Sequence, residues 1–240
     1  MPALLTVESA SKSYGALKVT DDVSFSVADD EALGILGPNG AGKTTLFNLI
    51  SGDVNPDAGK IMFAGADISA LPPHQRCRRG IGRSYQIPHP FVGMTVFENL
   101  LVAATFGGNR REQEAYDLCV DVLQKTDLVK KANLLAGSLT LLDRKRLELA
   151  RSLATNPKLL LLDEIAGGLT EHEAKQLVGE IKAIKASGVA IIWIEHVVHA
   201  LLAVADRLLV INFGKKLIEG QPDVVMNDAE VKRVYMGIEV

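Results

Sequence analysis

Nine consecutive residues, Gly37, Pro38, Asn39, Gly40, Ala41, Gly42, Lys43, Thr44 and Thr45, have the types and spacing to hold a chain of phosphates. They match G-x-x-x-x-G-K-[ST] at every fixed position. The glycines permit positive φ angles and close approach of backbone to an anion. Successive N–H groups can then converge in one concave nest. Lys43 supplies a mobile cation for the outer phosphates, and the Thr44 hydroxyl is placed to ligate Mg²⁺. The chemistry implied is that of a nucleoside triphosphate.

Two acids complete the arrangement. The apolar run 159–162 ends at Asp163 and Glu164. In a parallel sheet the end of such a strand lies beside the phosphate loop, where Asp163 can hold the Mg²⁺ shell. Glu164 can orient and deprotonate a water for attack on the γ-phosphate.

These groups need a strand before the loop and a helix after it. Residues 32–36 are a short apolar run of strand character, and residues 45–50 have helical apolar spacing, so a helix dipole adds to the anion site. Before the loop, Leu5, Val7, Val19, Val23, Phe25 and Val27 alternate with polar positions and predict antiparallel strands joined by turns such as Ser13-Tyr14-Gly15. A second short strand pair surrounds residues 59–65. From Met94 to about Ala132, Leu100, Leu101, Ala104, Leu118, Val122, Leu123 and Leu128 recur at helical spacing. Further helices are predicted over 141–154 and 171–185, with strands at 159–162 and 189–194. Strands alternating with helices imply an α/β fold with a mainly parallel sheet, and the central helical stretch reads as an insertion.

Composition narrows the class. The chain has 240 residues, 48% of them hydrophobic, enough for one large domain. A net charge of −3 gives no reason to propose nucleic acid as a partner. Cys77 and Cys119 lack metal-ligand spacing and fit a reduced compartment. The start Met1-Pro2-Ala3-Leu4-Leu5 lacks the basic and apolar regions of a secretory leader. The most apolar run, 188–194, is too short to span a bilayer, so any membrane role must come through a partner.

Taken together, these motifs resemble the ATP-binding subunits of ABC transporters over nearly the whole chain. The resemblance implies a P-loop ATPase of the ABC type over residues 4–236. It would have a mainly parallel core, an N-terminal antiparallel β subdomain and a helical subdomain inserted at about 87–152. It further implies ATP and Mg²⁺ as ligands. Tyr14 matches the aromatic residue that stacks on adenine. Gln86, in Arg83-Ser84-Tyr85-Gln86, matches the glutamine that senses Mg²⁺ and the attacking water. His196 matches the histidine that contacts the γ-phosphate, and Ala166-Gly167-Gly168-Leu169-Thr170 resembles the loop following the catalytic glutamate. Glu164, His196, Gln86 and Lys43 are thus the expected catalytic set, and Thr44, Gln86 and Asp163 the expected metal set. A metal site at His196 and His199 is the alternative there, discounted for want of a third ligand. A GTPase is a second alternative, but no Asn in the chain is followed by Lys.

The chain departs from the family at its signature. Leu-Ser-Gly-Gly-Gln is replaced by Leu139-Thr140-Leu141-Leu142-Asp143. Thr140 and Asp143 resemble a capping box. Leu141 and Leu142 place bulk where glycines permit contact, and Asp143 is expected to bring negative charge near a polyphosphate held by the opposite subunit. Weak action on a nucleotide in trans is the expectation. Ile165 replaces the usual Pro, with little consequence expected.

A single nucleotide unit of this kind is typical of prokaryotic importers. Residues 82–86, 93–99 and 214–222, with the closing Val234-Tyr235-Met236-Gly237, resemble the ATPases of branched-chain amino acid importers. The expected partners are a second nucleotide-binding subunit, identical or different, and permease subunits docking on the apolar loop that carries Ile87, Pro88, Pro90, Phe91, Val92 and Met94. A periplasmic or surface solute-binding protein would act indirectly. The expected location is the cytoplasmic face of the membrane. The alternatives are a subunit with weak or regulatory hydrolysis and a soluble ABC ATPase not tied to transport.

Overall fold

The computed structural model describes residues 3–236. Met1 and Pro2, read above as the start of a leaderless chain, and Gly237 of the closing resemblance lie outside the described residues. Two strands, β1 (Leu5–Tyr14) and β2 (Leu17–Val27), open the chain as an antiparallel hairpin. The turn is one position later than its sequence suggests. Ser13 and Tyr14 still pair with Lys18 and Leu17. The reversal falls on Gly15 and Ala16, because Gly15 takes the left-handed conformation at φ 61°. Bulges near Ser9 and Asp22, both at positive φ, reset the alternation. Val19 is consequently only half-buried while Thr20 turns inward.

Next come β3 (Ala32–Leu36), α1 (Lys43–Ser51), β4 (Ala58–Phe63) and β5 (Ala66–Asp67). Pairing of β4 with β1 and of β5 with β4 gives a four-stranded antiparallel sheet in the order β2-β1-β4-β5. The chain continues through α2 (Pro73–Arg78) and β6 (Ile81–Arg83) into α3 (Val96–Val102), which widens into a π turn at Ala103–Gly107. Two longer helices follow, α4 (Glu112–Lys125) and α5 (Leu141–Ala154). Thr95 and Glu98 start α3 with a full capping box.

The last third alternates. β7 (Leu159–Asp163), α6 (Glu171–Ala186), β8 (Ala190–Ile194), α7 (Val198–Leu202), β9 (Arg207–Asn212) and β10 (Lys215–Gly220) precede α8 (Pro222–Asn227) and α9 (Ala229–Val231). The second sheet runs β10-β9-β3-β8-β7-β6. All neighbours in it are parallel except β10, which folds back on β9 as a hairpin. Strands β3, β7 and β8 are buried along their whole length, which is why they read as unbroken apolar runs.

Both faces of this sheet are covered. One core packs Leu33, Ile35, Leu161 and Ile192 against α1 and the antiparallel sheet. The other packs Leu160, Leu162, Ile191 and Trp193 against α5 and α6. Parallel register aligns Ile35, Ile194 and Asp163 across β3, β8 and β7. The loops leaving these strand ends therefore gather at one edge, where open α/β sheets bind their ligands.

Candidate functional site

The loop between β3 and α1 is shaped by backbone. A Cβ at Gly37 would overlap the carbonyl oxygen of Ile211, and one at Gly42 the carbonyl oxygen of Val19. Gly42 caps α1 at φ 103° with no side-chain hydrogen bond, and the first turn holds no acid. The N–H groups at this helix start are thus left to an anion. Lys43 is almost fully buried and its ammonium donates to the carbonyl oxygens of Gly37 (2.7 Å) and Pro38 (3.0 Å). Burial pushes its pKa down, and the charges of Glu164 and Asp163 oppose that shift. A hollow of about 190 Å³ is lined by Val19, residues 39–45 and Glu164. The phosphate loop and the proposed base therefore face one space.

The acids sit where β7 ends. Asp163 is 5% exposed, and its carboxylate accepts from Arg83 at 3.3 Å. Burial raises its pKa and the Arg83 charge works against that. Glu164 takes a left-handed conformation at φ 46°, a strained position for a residue with a Cβ. One of its oxygens accepts from the Gln86 amide at 2.5 Å; the other lies 2.8 Å from His196 Nε2. Gln86 follows β6 and His196 follows β8, so three strand ends bring these side chains together.

For Mg²⁺, the Thr44 hydroxyl in the first turn of α1 and the Asp163 carboxylate at the end of β7 are hard oxygen donors. That donor chemistry fits the ion. In the structure Gln86 directs its amide nitrogen to Glu164.

Arg83 has no role in the sequence reading, yet it ties the two halves of the site. Besides Asp163 it donates to Asn48 (2.7 Å), Ser51 (2.9 Å) and Asp53 (2.8 Å). Its signal is a basic residue ending a strand, β6, that pairs with the acid-ended β7. Tyr14 lies at the end of β1, about half exposed, and is not among the residues lining the phosphate hollow. His196 and His199 diverge. The first meets Glu164, while the second lines a separate hollow between α6 and α7.

The altered signature starts α5 in a way the sequence did not reveal. Asp143 is 3% exposed and does not project toward a ligand. It is paired with Lys131 (2.5 Å) and Arg146 (3.6 Å) and accepts the Thr140 hydroxyl at 2.7 Å. Thr140 in turn accepts the Asp143 N–H at 3.3 Å, which is half of a capping box. Leu142 is also buried, within the helical core; of the two leucines only Leu141 faces outward, 47% exposed.

Comparison with known proteins agrees with this geometry. The family model described as "ABC transporter" matches residues 20–167. The lipopolysaccharide export system ATP-binding protein LptB of Haemophilus influenzae is 38% identical over 98% of both chains. The high-affinity branched-chain amino acid transport ATP-binding protein LivG of Salmonella typhimurium is 35% identical, also over 98% of each. Among solved structures, a nucleotide-free ATP-binding cassette from an ABC transporter superposes with a TM-score of 0.90 at 31% identity, covering 99% of this chain and all of that one. An ABC transporter cassette in its ADP conformation matches equally, at 0.90 and 31%.

Proposed function

The chain belongs to the ATP-binding subunits of ABC transporters, and on that premise we propose that its ATPase drives solute movement across a membrane through partner subunits. The observation that carries the mechanism is the Glu164 carboxylate, held between Gln86 and His196 on the hollow lined by the phosphate loop. ATP binds at residues 37–45, with Lys43 leaving its two carbonyl oxygens to meet the outer phosphates. Tyr14 supports the base from the hairpin end. Thr44, Asp163 and Gln86 would hold Mg²⁺, which would supply charge neutralisation on the phosphates. Glu164 takes the proton of the attacking water, and His196 and Lys43 stabilise charge developing on the γ-phosphoryl group.

Two such subunits close head to tail, since bound nucleotide contacts both only when they are closed. Gln86 relays the change to permease subunits. Their docking surface is the loop carrying Phe91, Val92 and Met94. Its backbone is pinned: Val92 and Met94 carbonyls accept from Gly137 and Ala136, and Asn99 binds the Phe91 N–H and carbonyl. Its side chains stay outside, with Ile87 at 66%, Val92 at 63% and Phe91 at 46% exposure. Among the described residues no helix is long and apolar enough to cross a membrane. Peripheral attachment at the cytoplasmic face, through the permease subunits, is the reading that family membership supports.

On this reading the cargo is chosen by the partner subunits. The stretches 82–86, 93–99 and 214–222 support import of branched-chain or other amino acids, aided indirectly by a solute-binding protein. Lipopolysaccharide export is the second reading, favoured by the 38% identity to LptB. Affinity capture of the tagged chain from solubilised membranes tests both. Amino acid permease subunits should co-purify and stimulate ATP hydrolysis. Capture of lipopolysaccharide-export membrane proteins would replace the first reading with the second, and a chain that retains no membrane subunit would end the transport proposal. Charge substitutions at Phe91 or Val92 that leave assembly and stimulation intact would remove the docking surface.

A further inference from the structure

Two buried charged side chains have no part in the mechanism above. Lys145 on α5 is 4% exposed and Glu195, just after β8, is 1% exposed. Charges that deep are costly unless they are hydrogen-bonded and compensated. Their partners are backbone groups of the reaction centre. The Lys145 ammonium donates to the Gln86 carbonyl oxygen at 2.9 Å and, less closely, to the Glu164 carbonyl oxygen at 3.4 Å. The Glu195 carboxylate accepts from the N–H groups of Ala166 (3.0 Å), His196 (2.9 Å) and Val197 (3.3 Å).

The pattern is specific. Glu164, Gln86 and His196 come from three different loops, and every one of those loops is gripped by one of these two charges. The turn at Glu164–Ala166 is gripped by both, from its carbonyl side and its N–H side. Glu164 needs such a grip, because its left-handed φ is sustained only where surroundings over-determine it. Its own N–H reaches the Ile194 carbonyl at 2.9 Å, and its carbonyl takes the Gly167 N–H at 3.1 Å. Burial pushes the Lys145 pKa down, but the charges of Glu195, Glu164 and Glu148 oppose that. The same helix holds the Gln86 loop at a second point, where Arg151 donates to the His89 carbonyl at 2.8 Å.

We propose that Lys145 and Glu195 act together as a buried clamp that sets the Glu164 carboxylate between Gln86 and His196. They are positioning residues: neither touches the nucleotide, and both act through the backbone that aims the catalytic side chains. The clamp also puts α5, which begins at the altered signature, in direct contact with the reaction centre of its own chain. This inference rests on Glu164 being the water-activating base.

The test uses the full chain with Lys145→Met, Lys145→Arg and Glu164→Gln. Lys145→Met should lower kcat for ATP hydrolysis about 10- to 100-fold, the scale of a displaced catalytic group. Affinity for a fluorescent ATP analogue should stay within about twofold, since the phosphate loop is untouched. Lys145→Arg, which keeps a buried cationic donor, should recover most of the rate. Hydrogen exchange should quicken in segments 84–91 and 161–168 of Lys145→Met and nowhere else. If that variant fails to fold, Lys145→Gln, with its shorter donor, carries the same comparison. Parent-like hydrolysis, an equal loss in Lys145→Arg, a loss of ATP affinity matching the loss of kcat, or unchanged exchange in both segments would each overturn the clamp. Normal turnover by Glu164→Gln would instead show that the assignment of the base is wrong. An inactive Glu164→Gln beside a fully active Lys145→Met would leave that assignment standing and remove the clamp alone.

Discussion

The starts of α1 and α5 are both helix N-termini in a family that uses such ends for phosphate, and they are built in opposite ways. At α1 the cap is Gly42, no side chain covers the first turn, and no acid lies in it. At α5 the cap is Thr140, whose hydroxyl takes the Asp143 N–H, and Asp143 is turned inward onto Lys131 and Arg146. The first helix leaves its N–H groups for a ligand; the second spends one of them on its own side chain and carries the half-exposed Leu141 at its first position. Helix polarity favours an anion at both. What separates them is whether the protein has already satisfied the donors.

The contrast breaks most visibly at Gly42. Gly42→Ala forces a side chain to positive φ and into the Val19 carbonyl. ATP affinity should drop about 100-fold, or about 2.8 kcal/mol, by titration with a fluorescent analogue. Retained affinity would mean that the loop is not held by backbone packing. Glu164→Gln separates binding from chemistry at the same end: kcat should fall about 10²- to 10⁴-fold with ATP affinity unchanged.

At the other helix, Asp143→Ala removes one partner of a buried network and should cost about 1–3 kcal/mol in urea unfolding. That contribution has a pH signature. Burial by itself would raise the Asp143 pKa, but the hydrogen bonds of Lys131 and Thr140 and the charges of Lys131 and Arg146 outweigh it and hold the value below 3.8. A carboxyl whose folded pKa is depressed stabilises above its unfolded value and loses that effect as pH falls through the folded one. The stability gap between parent and Asp143→Asn should therefore be constant above about pH 5 and close on acidification below about pH 4. A gap that persists there would mean Asp143 acts by packing. The smallest effect is expected from Leu141→Gly, which removes the exposed side chain at the start of α5 for roughly 1 kcal/mol of helix propensity. ATP-driven self-association, followed by light scattering, should strengthen. No change would show that Leu141 is not what limits contact with a nucleotide in trans.

The placement of the glycine loop and the two acids is legible in the sequence because their proposed roles depend on local spacing: glycines in a loop between an apolar strand and a helix, and carboxylates at a strand end. The parallel sheet is legible for the same reason, since β7 and β8 are unbroken apolar runs. What stayed hidden depends on distant partners. Asp143 reads as an exposed charge until Lys131 and Arg146 are seen to receive it. Arg83 has no visible purpose until β6 pairs with β7 and brings Asp163 within reach. The hairpin turn shifted because one residue, Gly15, tolerates a left-handed φ better than its neighbours do.

The packing around the phosphate loop also bears on when it can form. Gly37 lies against the Ile211 carbonyl, Gly42 against Val19, and Gly214 against Val19 as well, while the Gly214 N–H donates to the Ala41 carbonyl at 2.9 Å. A motif complete by residue 45 is thus moulded by the β9–β10 hairpin, far downstream of it in the sequence. Contacts of such long sequence separation close late, because loop-closure entropy must be met first. A nascent chain that has exposed its glycine motif but not residues 211–214 lacks the mould, so nucleotide binding at the motif would report that β9 and β10 have docked.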